Sequence, residues 1–404
     1  MNKTNYFDNP AVVLGFDYTG LATARCLVDA GINVYGVSLD KSDIGRWSNC
    51  GIVIRMKDDG DLVENLARFF KSLPAKPVVI PTSDALALLL AANREQLAEH
   101  AWFSANPHGQ LQEIIFKDGL YRLAYAAGVQ APAQLNPVDI GQVEHWCVEN
   151  PPPYLLKPYY QNIAGSPLDV KNKTVLTAAE LMIFMRDRGF GNLVVQQLRE
   201  GGDGNVYDCY GACDNAGTPL SLTSHRRIRQ YSKDFGATCY GEIPLSGDPQ
   251  MESRIFSATR RLLNNVRYHG IFGIEWLHDV KADELLLIDF NARPFSSIGH
   301  LKDCGLNLPL LNFLELTGQL PEQTAVAPPM SHKYWVHFSR DLKTLPIRMK
   351  EGSLTLWEWL SSIARARSYA IWSVRDPLPS LVDFLRFVRS AARHGFAAIF
   401  SSRG

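Results

Sequence analysis

Four polar side chains near the ends of two apolar segments could bind a metal ion together with an anion. Glu275 lies in an apolar, aromatic run, and Asp289, Asn291 and Arg293 follow one another at intervals of two residues at the end of a second apolar run. Because side chains alternate between the two faces of a strand, this interval places the last three on one face. Carboxylate and carboxamide oxygens suit Mg²⁺, which usually retains waters and shares its coordination with substrate phosphates. The Arg293 guanidinium suits a phosphate or a carboxylate. Taken alone, the pattern is more typical of an ordinary hairpin whose polar face is solvated.

The segment around these residues predicts an antiparallel hairpin. Residues 273–279 and 285–290 are apolar runs that suit buried strands, and residues 281–284 between them are polar enough to form a turn. We expect Glu275 to face the three residues of the second strand.

Cationic and glycine-containing segments earlier in the chain could bind a phosphate. Lys157 comes at the end of a predicted strand, residues 154–158, from which it could reach an anion. The following loop, residues 159–167, contains Asn162, Gly165 and Ser166, whose backbone amides and hydroxyl could close over such a group.

A predicted strand at residues 192–198 runs into a glycine-rich turn, and another strand begins at residue 206. Arg226, Arg227 and Arg229 then form a charged cluster, for which a solvated face is the usual explanation.

The N-terminal part predicts alternating strands and helices. Residues 11–15 form a short apolar strand, Gly15 and Gly20 bracket a turn, and a periodic helix leads to a second strand. This opening is similar to a dinucleotide-binding fold, with Asp40 about where a ribose-binding acid would lie. The glycine spacing is G-x-x-x-x-G rather than G-x-G-x-x-G. We therefore expect a structural α/β domain with no bound dinucleotide, and an NAD(P)-dependent oxidoreductase is the less favoured alternative.

Composition limits the classes of protein to which this chain can belong. A length of 404 residues with 46% hydrophobic residues predicts two to four domains or lobes. The 41 basic and 41 acidic residues cancel, which argues against nucleic acid as a partner. We find no signal peptide, because Asp17 ends the first apolar run, and no apolar stretch reaches the ~18 residues of a spanning helix. These features predict a cytoplasmic protein. The seven cysteines lack paired metal-ligand spacing, so we expect reduced, mostly buried thiols.

The order of motifs from residue 116 to residue 315 resembles the ATP-grasp ligases, over about half of the chain. Each motif alone is weak, and the ordered set is specific. The matching residues are Lys117 in Lys-Asp before a helix, Lys157 in Leu-Lys-Pro, the run Gln196-Gln197-Leu198-Arg199-Glu200-Gly201-Gly202-Asp203, Glu275 after Phe-Gly-Ile, and Ile288-Asp289-Phe290-Asn291-Ala292-Arg293-Pro294.

The resemblance implies a fold and a set of boundaries. We expect an N-terminal α/β parallel-sheet domain of the kind that precedes an ATP-grasp domain at residues 1–115. An α+β ATP-grasp domain would follow at 116–322, with lobes at about 116–195 and 196–322. A basic, mixed C-terminal extension with an amphipathic helix would occupy 323–404.

The resemblance also implies roles for individual residues. Lys117 and Lys157 would bind the phosphates of ATP, with Asn162, Gly165 and Ser166 in the covering loop. Gln196, Gln197 and Leu198 would bind adenine largely through their backbone, and Asp203 would bind the ribose. Glu275, Asp289 and Asn291 would hold two Mg²⁺ ions, which Mn²⁺ could replace, with Asp289 bridging them. Arg293 would steady the transferred phosphoryl group or the acyl phosphate, assisted by Arg226 or Arg227.

The implied activity is that of an ATP-dependent carboxylate-amine ligase acting through an acyl phosphate. The layout resembles that of D-aspartate ligases and of carbamoyl-phosphate synthase. The resemblance implies small-molecule carboxylate and amine substrates, and a surface-polymer precursor is among the candidates. Many members have Glu at the positions of Gln196 and Asp289. Members of the carboxylase type continue past the arginine with Val-Glu-His, whereas residues 294–300 here read PFSSIGH, which counts against bicarbonate. A nucleotide-binding regulatory module or pseudoenzyme is the alternative.

The last eighty residues carry a surplus of basic residues, with 12 Lys and Arg against 5 Asp and Glu from residue 324 onward. In the predicted final helix, Leu381, Phe384, Leu385, Val388 and Ala392 share one face, and arginines lie at positions 386, 389 and 393. Such a helix could pack on the ligase body or on the partner in a homodimer, and this is the interpretation that we favour. It could instead bind an anionic membrane at its inner face and approach a lipid-linked substrate.

Overall fold

The computed structural model of this chain describes residues 7–57, 60–159, 168, 172–231, 233, 236–245, 247–321 and 331–401. At residue 391 and at residues 393–401 the description covers the backbone only. Three sheets organise these residues, of four, four and seven strands.

The N-terminal part is an alternating α/β unit, as the sequence predicts. Its elements are β1 (Ala11–Leu14), α1 (Tyr18–Asp29), β2 (Val34–Ser38), a 3₁₀ helix (Ile44–Trp47), β3 (Ile52–Arg55), α2 (Leu62–Ser72), β4 (Val78–Pro81), α3 (Asp84–Ala92), α4 (Arg94–Leu97) and α5 (His108–Ile115). The strands pair in parallel in the order β3-β2-β1-β4. Every residue of β1 is buried, which suits a strand covered on both faces. Helix α1 begins before its apolar periodicity because the Asp17 carboxylate caps the amides of Thr19 and Gly20.

A small antiparallel sheet follows, flanked by helices. Its elements are α6 (Lys117–Ala126), β5 (Gln134–Leu135), α7 (Ile140–Glu149), β6 (Tyr154–Lys157), β7 (Lys173–Val175), α8 (Ala178–Arg188) and β8 (Val194–Gln197). The strand order is β5-β8-β6-β7, and all pairs are antiparallel. Tyr154, Leu156 and Val195 pack against Val143 of α7 and Leu181 of α8 in one apolar core.

The largest sheet has seven strands and carries most of the candidate site. Its elements are β9 (Val206–Cys213), β10 (Pro219–Tyr231), β11 (Ala237–Ile243), α9 (Pro249–Val266), β12 (Gly270–Asp279), β13 (Glu284–Asn291), α10 (Ile298–Cys304), α11 (Leu308–Leu316), β14 (Lys333–Val336), α12 (Phe338–Lys350), α13 (Leu356–Arg365), β15 (Ala366–Tyr369) and α14 (Leu378–Ser401). The strand order is β13-β12-β9-β10-β11-β14-β15, antiparallel except for the β14–β15 pair. The final two strands place part of the C-terminal segment in this sheet.

Buried ion pairs connect the C-terminal segment to the sheet. Asp341 of α12 is fully buried and accepts hydrogen bonds from Arg229 Nε at 2.8 Å, Arg229 Nη2 at 2.7 Å and Trp359 Nε1 at 2.8 Å. The interpretation of the arginine cluster as a solvated face is therefore wrong for Arg229, and also for Arg227, because both side chains are buried against carboxylates. Strand β9 brings Asp208 to Arg227 and helix α12 brings Asp341 to Arg229, and the local sequence of β10 reveals neither contact.

The last helix does not pack on the body through the face that the sequence singled out. Leu381, Phe384, Leu385 and Val388 remain 45–52% exposed, whereas Val382 on another side of the helix joins the core with Leu21 and Trp335. The helix therefore packs on the body, one of the two alternatives that the sequence left open, but through a side other than its apolar face. No helix among the described residues is long and apolar enough to cross a membrane. Five of the seven cysteines are buried, in agreement with the prediction.

Candidate active site

A row of polar residues crosses four neighbouring strands of the large sheet. The register pairs His225 of β10 with Asp208 of β9, Asp208 with Glu275 of β12, and Glu275 with Asp289 of β13. Directly paired residues in adjacent strands share a face, so the side chains of these four residues form one polar line. The predicted hairpin and the position of Glu275 opposite Asp289 are confirmed.

The next row on the same face makes room for the site. Gly273 lies opposite Asn291 on one side and Tyr210 on the other. A Cβ atom at Gly273 would come within 2.9 Å of Phe295 and 3.2 Å of the Tyr210 ring. These two rings stack with centroids 3.6 Å apart and an interplanar angle of 9°. Glycine is therefore required where the aromatic pair closes over the strand.

Lys117, at the first position of α6, contacts the hairpin directly. Its ammonium lies 2.5 Å from Asp289 Oδ1 and donates to the carbonyl oxygen of Ile288 at 2.7 Å. Burial alone would raise the pKa of the Asp289 carboxyl, but the positive charge of Lys117, and more weakly that of Lys157, holds this pKa below its ordinary value. Asp289 is therefore ionised at neutral pH and available as an oxygen ligand.

Arg227 links the other two carboxylates of the row. Its Nη2 atom lies 2.5 Å from Asp208 Oδ1 and 2.8 Å from Glu275 Oε1. His225 Nδ1 lies 2.7 Å from Asp208 Oδ2. Burial would raise the pKa of Asp208, but Arg227 and His225 hold it well below its usual range. Asp208 and His225 were missed by the sequence reasoning, although a charged residue inside the apolar run of β9 is a signal that could have indicated Asp208.

Arg293 connects the hairpin to the N-terminal unit. Its Nε atom lies 3.1 Å from Asp84 Oδ1, at the start of α3, and its Nη2 atom donates to Asn291 Oδ1 at 2.9 Å. Burial would lower the pKa of this guanidinium, but Asp84 raises it, so Arg293 stays charged. The Asn291 amide in turn donates to Glu275 Oε1 at 3.1 Å. The metal-ligand candidates and the arginine thus form one connected network.

Most of the predicted site residues line one cavity of about 1450 Å³. Its lining includes Lys117, Lys157, Gln196, Gln197, Leu198, Arg227, Glu275, Asp289, Asn291 and Arg293. Arg226 and Asp203 are not among the described residues that line this cavity. Arg226 instead donates to the carbonyl oxygen of Gly204 at 2.9 Å, because consecutive strand residues point to opposite faces. Asn162, Gly165 and Ser166 lie outside the described residues.

The segment expected to bind a base and a ribose already has partners in the protein. The amides of Gln197 and Leu198 donate to the carbonyl oxygens of Ala133 and Pro153, each at 2.9 Å. Asp203 forms an ion pair with Arg348 of α12 and accepts from Gln230 Nε2 at 3.3 Å. The two amides are therefore committed within the fold, and a base would have to use other backbone groups of this segment.

The donor set at the hairpin fits a hard cation. No group of three or more His, Cys, Asp or Glu side chains in the described part of the chain is placed to hold a metal ion. The candidate set is instead two carboxylates and one carboxamide, Glu275, Asp289 and Asn291, on paired strands. Mg²⁺ commonly takes few protein ligands and completes its octahedron with waters and phosphate oxygens. Lys117 and Arg227 balance the two carboxylates in this structure, and a cation bound there would take over that role.

The turn after β1 is poorly suited to a dinucleotide phosphate. The Asp17 carboxylate accepts hydrogen bonds from the amides of Thr19 and Gly20 at 2.9 and 3.0 Å. In dinucleotide-binding folds the amides at this helix start face the pyrophosphate. Here a carboxylate occupies them, and its charge would repel that anion.

No protein-family model matches this sequence, and no curated protein matches it. Solved structures do match. The N5-carboxyaminoimidazole synthetase from Staphylococcus aureus complexed with ADP aligns with a TM-score of 0.66 at 12% identity, covering 87% of this chain and 88% of that one. The biotin carboxylase domain of the Hydrogenobacter thermophilus 2-oxoglutarate carboxylase gives a TM-score of 0.63 at 13% identity, covering 81% and 73%. The L-amino acid ligase from Bacillus licheniformis gives 0.61 at 13% identity, covering 81% and 79%. Together with the N-terminal parallel sheet and the antiparallel sheets that follow it, these likenesses show that the chain has the fold of these proteins, the ATP-grasp fold.

Proposed function

We propose that this chain is an ATP-dependent carboxylate-amine ligase that works through an acyl phosphate. The observation that carries the proposal is the convergence of Lys117, Lys157 and Arg293 on the Glu275–Asp289–Asn291 hairpin within one cavity. Two lysines and an arginine place positive charge beside a hard-oxygen donor set, which suits a triphosphate with bound Mg²⁺.

The first step transfers the γ-phosphoryl group of ATP to a substrate carboxylate. An oxygen of the carboxylate attacks the γ-phosphorus, the bond to the β–γ bridging oxygen breaks, and ADP leaves. Lys117 and Lys157 bind phosphate oxygens, and Arg293, fixed by Asp84, faces the transferred group. Positioning and charge neutralisation supply most of the rate in such a transfer. Glu275, Asp289 and Asn291 would hold Mg²⁺, which neutralises phosphate charge.

The second step forms the amide. The nitrogen of a neutral amine attacks the acyl carbon, the bond from this carbon to the phosphate oxygen breaks, and inorganic phosphate leaves. The nitrogen loses one proton to solvent or to the departing phosphate. A carboxylate is a poor electrophile, and phosphorylation turns one of its oxygens into a leaving group. ATP, the acid and the amine are thus converted to amide, ADP and phosphate.

A carboxylase reaction is the second candidate, because two of the solved structures above come from carboxylating enzymes. The segment after Arg293 favours the ligase. It reads Pro294-Phe295-Ser296, and the buried Phe295 stacks on Tyr210 in the place where the carboxylase-type members have Val-Glu-His. Bicarbonate is therefore one acid in the test rather than the expected substrate.

The test is a screen of ADP release over carboxylic acids, including bicarbonate, crossed with amines, with mass analysis of the products. We expect ADP release that requires both an acid and an amine. The mass of the product should equal the mass of the amine plus that of the acid, minus one water. ATP binding without ADP release across the screen would favour a regulatory nucleotide-binding module. A carbamate from bicarbonate would favour the carboxylase.

We also propose that helix α14 contacts an anionic lipid surface. Leu378, Leu381, Phe384, Leu385 and Val388 leave an exposed apolar stripe, and the same helix exposes Arg386 and Arg389. The intact chain should float with vesicles rich in phosphatidylglycerol and not with neutral vesicles, and the double variant Leu381→Glu/Leu385→Glu should not float. Absence of flotation, or a dimer that these substitutions dissociate, would remove the proposal.

A further inference from the structure

Besides the metal-ligand candidates, the lining of the cavity includes residues from three distant parts of the chain. Tyr18 and Thr19 come from α1, Phe295 and Ser296 from the segment after β13, and Arg340 from α12. None of the sequence motifs includes Tyr18 or Arg340. The lining therefore includes residues that only the folded C-terminal segment brings to the site.

Arg340 differs in charge balance from the other arginines that line the cavity. Among the described residues, no carboxylate forms an ion pair with its guanidinium. The others are paired: Arg199 with Asp279 and Glu284, Arg227 with Asp208 and Glu275, and Arg293 with Asp84. Within the described part of the chain, Arg340 thus contributes to the cavity lining a positive charge that no carboxylate neutralises.

The surrounding structure fixes the position of Arg340. Its guanidinium carbon lies 4.4 Å from the centroid of the Tyr18 ring, and the same ring makes an edge contact with His337 at 5.5 Å. The next residue, Asp341, is fully buried and is held by Arg229. Stacking on an aromatic face leaves the N–H groups at the edge of a guanidinium free to donate. Arg340 is therefore oriented before any ligand binds.

We propose that Arg340 binds a substrate carboxylate other than the one that is phosphorylated, with its guanidinium stacked on Tyr18. The inference rests on the proposed ligase function and specifies its substrate class. A planar guanidinium and a carboxylate can form two parallel hydrogen bonds, which fixes distance and orientation together. The carboxylate has two sources, which are a second carboxyl group of the acid and the α-carboxylate of an amino acid that serves as the amine.

The test compares wild type with Arg340→Gln on matched substrates. In one arm a dicarboxylic acid is compared with its monoamide, and in the other an amino acid is compared with its α-amide. Arg340→Gln should raise KM for the carboxylate-bearing member of one pair by roughly 10- to 100-fold, the range expected for hydrogen bonds to a charged group. KM for the amide member and KM for ATP should not change. The arm that responds identifies the source of the carboxylate.

Arg365→Gln is the matched control. Arg365 also belongs to the C-terminal segment and also lies over a tyrosine, 5.5 Å from the Tyr334 ring centroid, but it does not line the cavity. We expect unchanged kinetics for this variant. Equal effects of the two substitutions, or equal effects of Arg340→Gln on acid and amide, would overturn the role of Arg340. An accepted substrate pair whose product retains no free carboxylate would also overturn it.

The two proposals fail in different ways. If wild type releases ADP and Arg340→Gln is unaffected, this inference is wrong and the ligase function stands. If wild type releases no ADP with any pair, the ligase function is wrong, and calorimetry of succinate and of alanine with the Mg²⁺–ADP complex decides about Arg340. Binding of either probe to wild type that Arg340→Gln weakens would support the site, and no binding to wild type would remove it.

Discussion

Replacing Asp289 with asparagine should separate the structural and the ligand-binding roles of the hairpin. The substitution keeps the shape of the side chain and removes its charge, so Lys117 loses the carboxylate 2.5 Å away and keeps the Ile288 carbonyl. The two side chains are 20% and 32% exposed. Loss of one partner costs ~3–5 kcal/mol in a fully buried pair, whereas exposed pairs contribute ~0–1 kcal/mol. For this partly exposed pair we expect a loss of roughly 1–3 kcal/mol in the free energy of unfolding.

The pH dependence of this loss follows from the lowered pKa of Asp289. A carboxyl group whose pKa is lower in the folded state stabilises the fold fully above its unfolded pKa of about 4, and this contribution is lost as the pH falls through the folded pKa. The difference between wild type and Asp289→Asn should therefore be complete at pH 7 and shrink only in acid.

Asp289→Asn should change the free energy of unfolding by a larger amount when nucleotide is present. A ligand at 100 times its Kd stabilises the fold by about 2.7 kcal/mol. If loss of a metal-ligand charge weakens Mg²⁺–ATP binding by about 100-fold, the same ligand concentration stabilises the variant by only about 0.4 kcal/mol. Urea unfolding followed by circular dichroism, with ATP and with or without Mg²⁺, measures this difference, and ADP release should be abolished.

Asp376→Asn is the control for this experiment. Asp376 is 2% exposed and lies 2.8 Å from Arg25, outside the cavity. This variant should lose stability and keep the full protection by Mg²⁺–ATP. Near-wild-type protection and ADP release in Asp289→Asn would refute the assignment of the hairpin, and so would an equal loss of protection in Asp376→Asn.

Three further predictions follow from the same structure. Lys157→Ala should mainly weaken nucleotide binding, and unchanged ATP affinity by calorimetry would contradict its role. His300 and His337 have pKa values lowered by burial, so the unfolded chain takes up protons below its pKa of about 6.5 while the folded chain does not. Stability should fall with decreasing pH by up to about 1.4 kcal/mol per pH unit for each histidine, and His300→Gln/His337→Asn should flatten this slope in urea unfolding at pH 7.5 and 5.5. Asp341→Ala leaves the buried Arg229 without a carboxylate and should cost about 3–5 kcal/mol, and a thermal stability close to wild type would contradict the buried pair.

The predictions that came true depend on local rules. The alternation of apolar residues in 273–279 and 285–290, with a polar turn between them, indicated the hairpin, and the interval of two placed Asp289 and Asn291 on one face. The parallel N-terminal sheet followed from strands alternating with helices for the same reason. The resemblance implied that Lys117 binds the phosphates of ATP, and the structure brings its ammonium to Asp289, from which 172 positions separate it.

The expectations that failed, and the residues that were missed, depend on contacts between distant segments. Arg227 was a candidate to assist Arg293 within a cluster usually explained as a solvated face, and its burial between Asp208 of β9 and Glu275 of β12 was not foreseen. Helix α14 was expected to pack on the body or on a dimer partner, and it contacts the body through a side other than its apolar face. Neither outcome can be read from a helix or strand pattern, because the pattern shows which residues share a face and not which element that face meets.

The sequence by itself determined which side chains lie together along a strand or helix, because the backbone geometry repeats every two residues in a strand and every 3.6 in a helix. It therefore specified the hairpin and its carboxylates. Only the tertiary structure decided the strand order that aligns His225, Asp208, Glu275 and Asp289 in one row, and the placement of Arg340 in the lining of the cavity. The physical reason is that sheet order and ion-pair partners are selected by the burial and charge neutralisation of segments far apart in the chain, and those energies exist only once the segments meet.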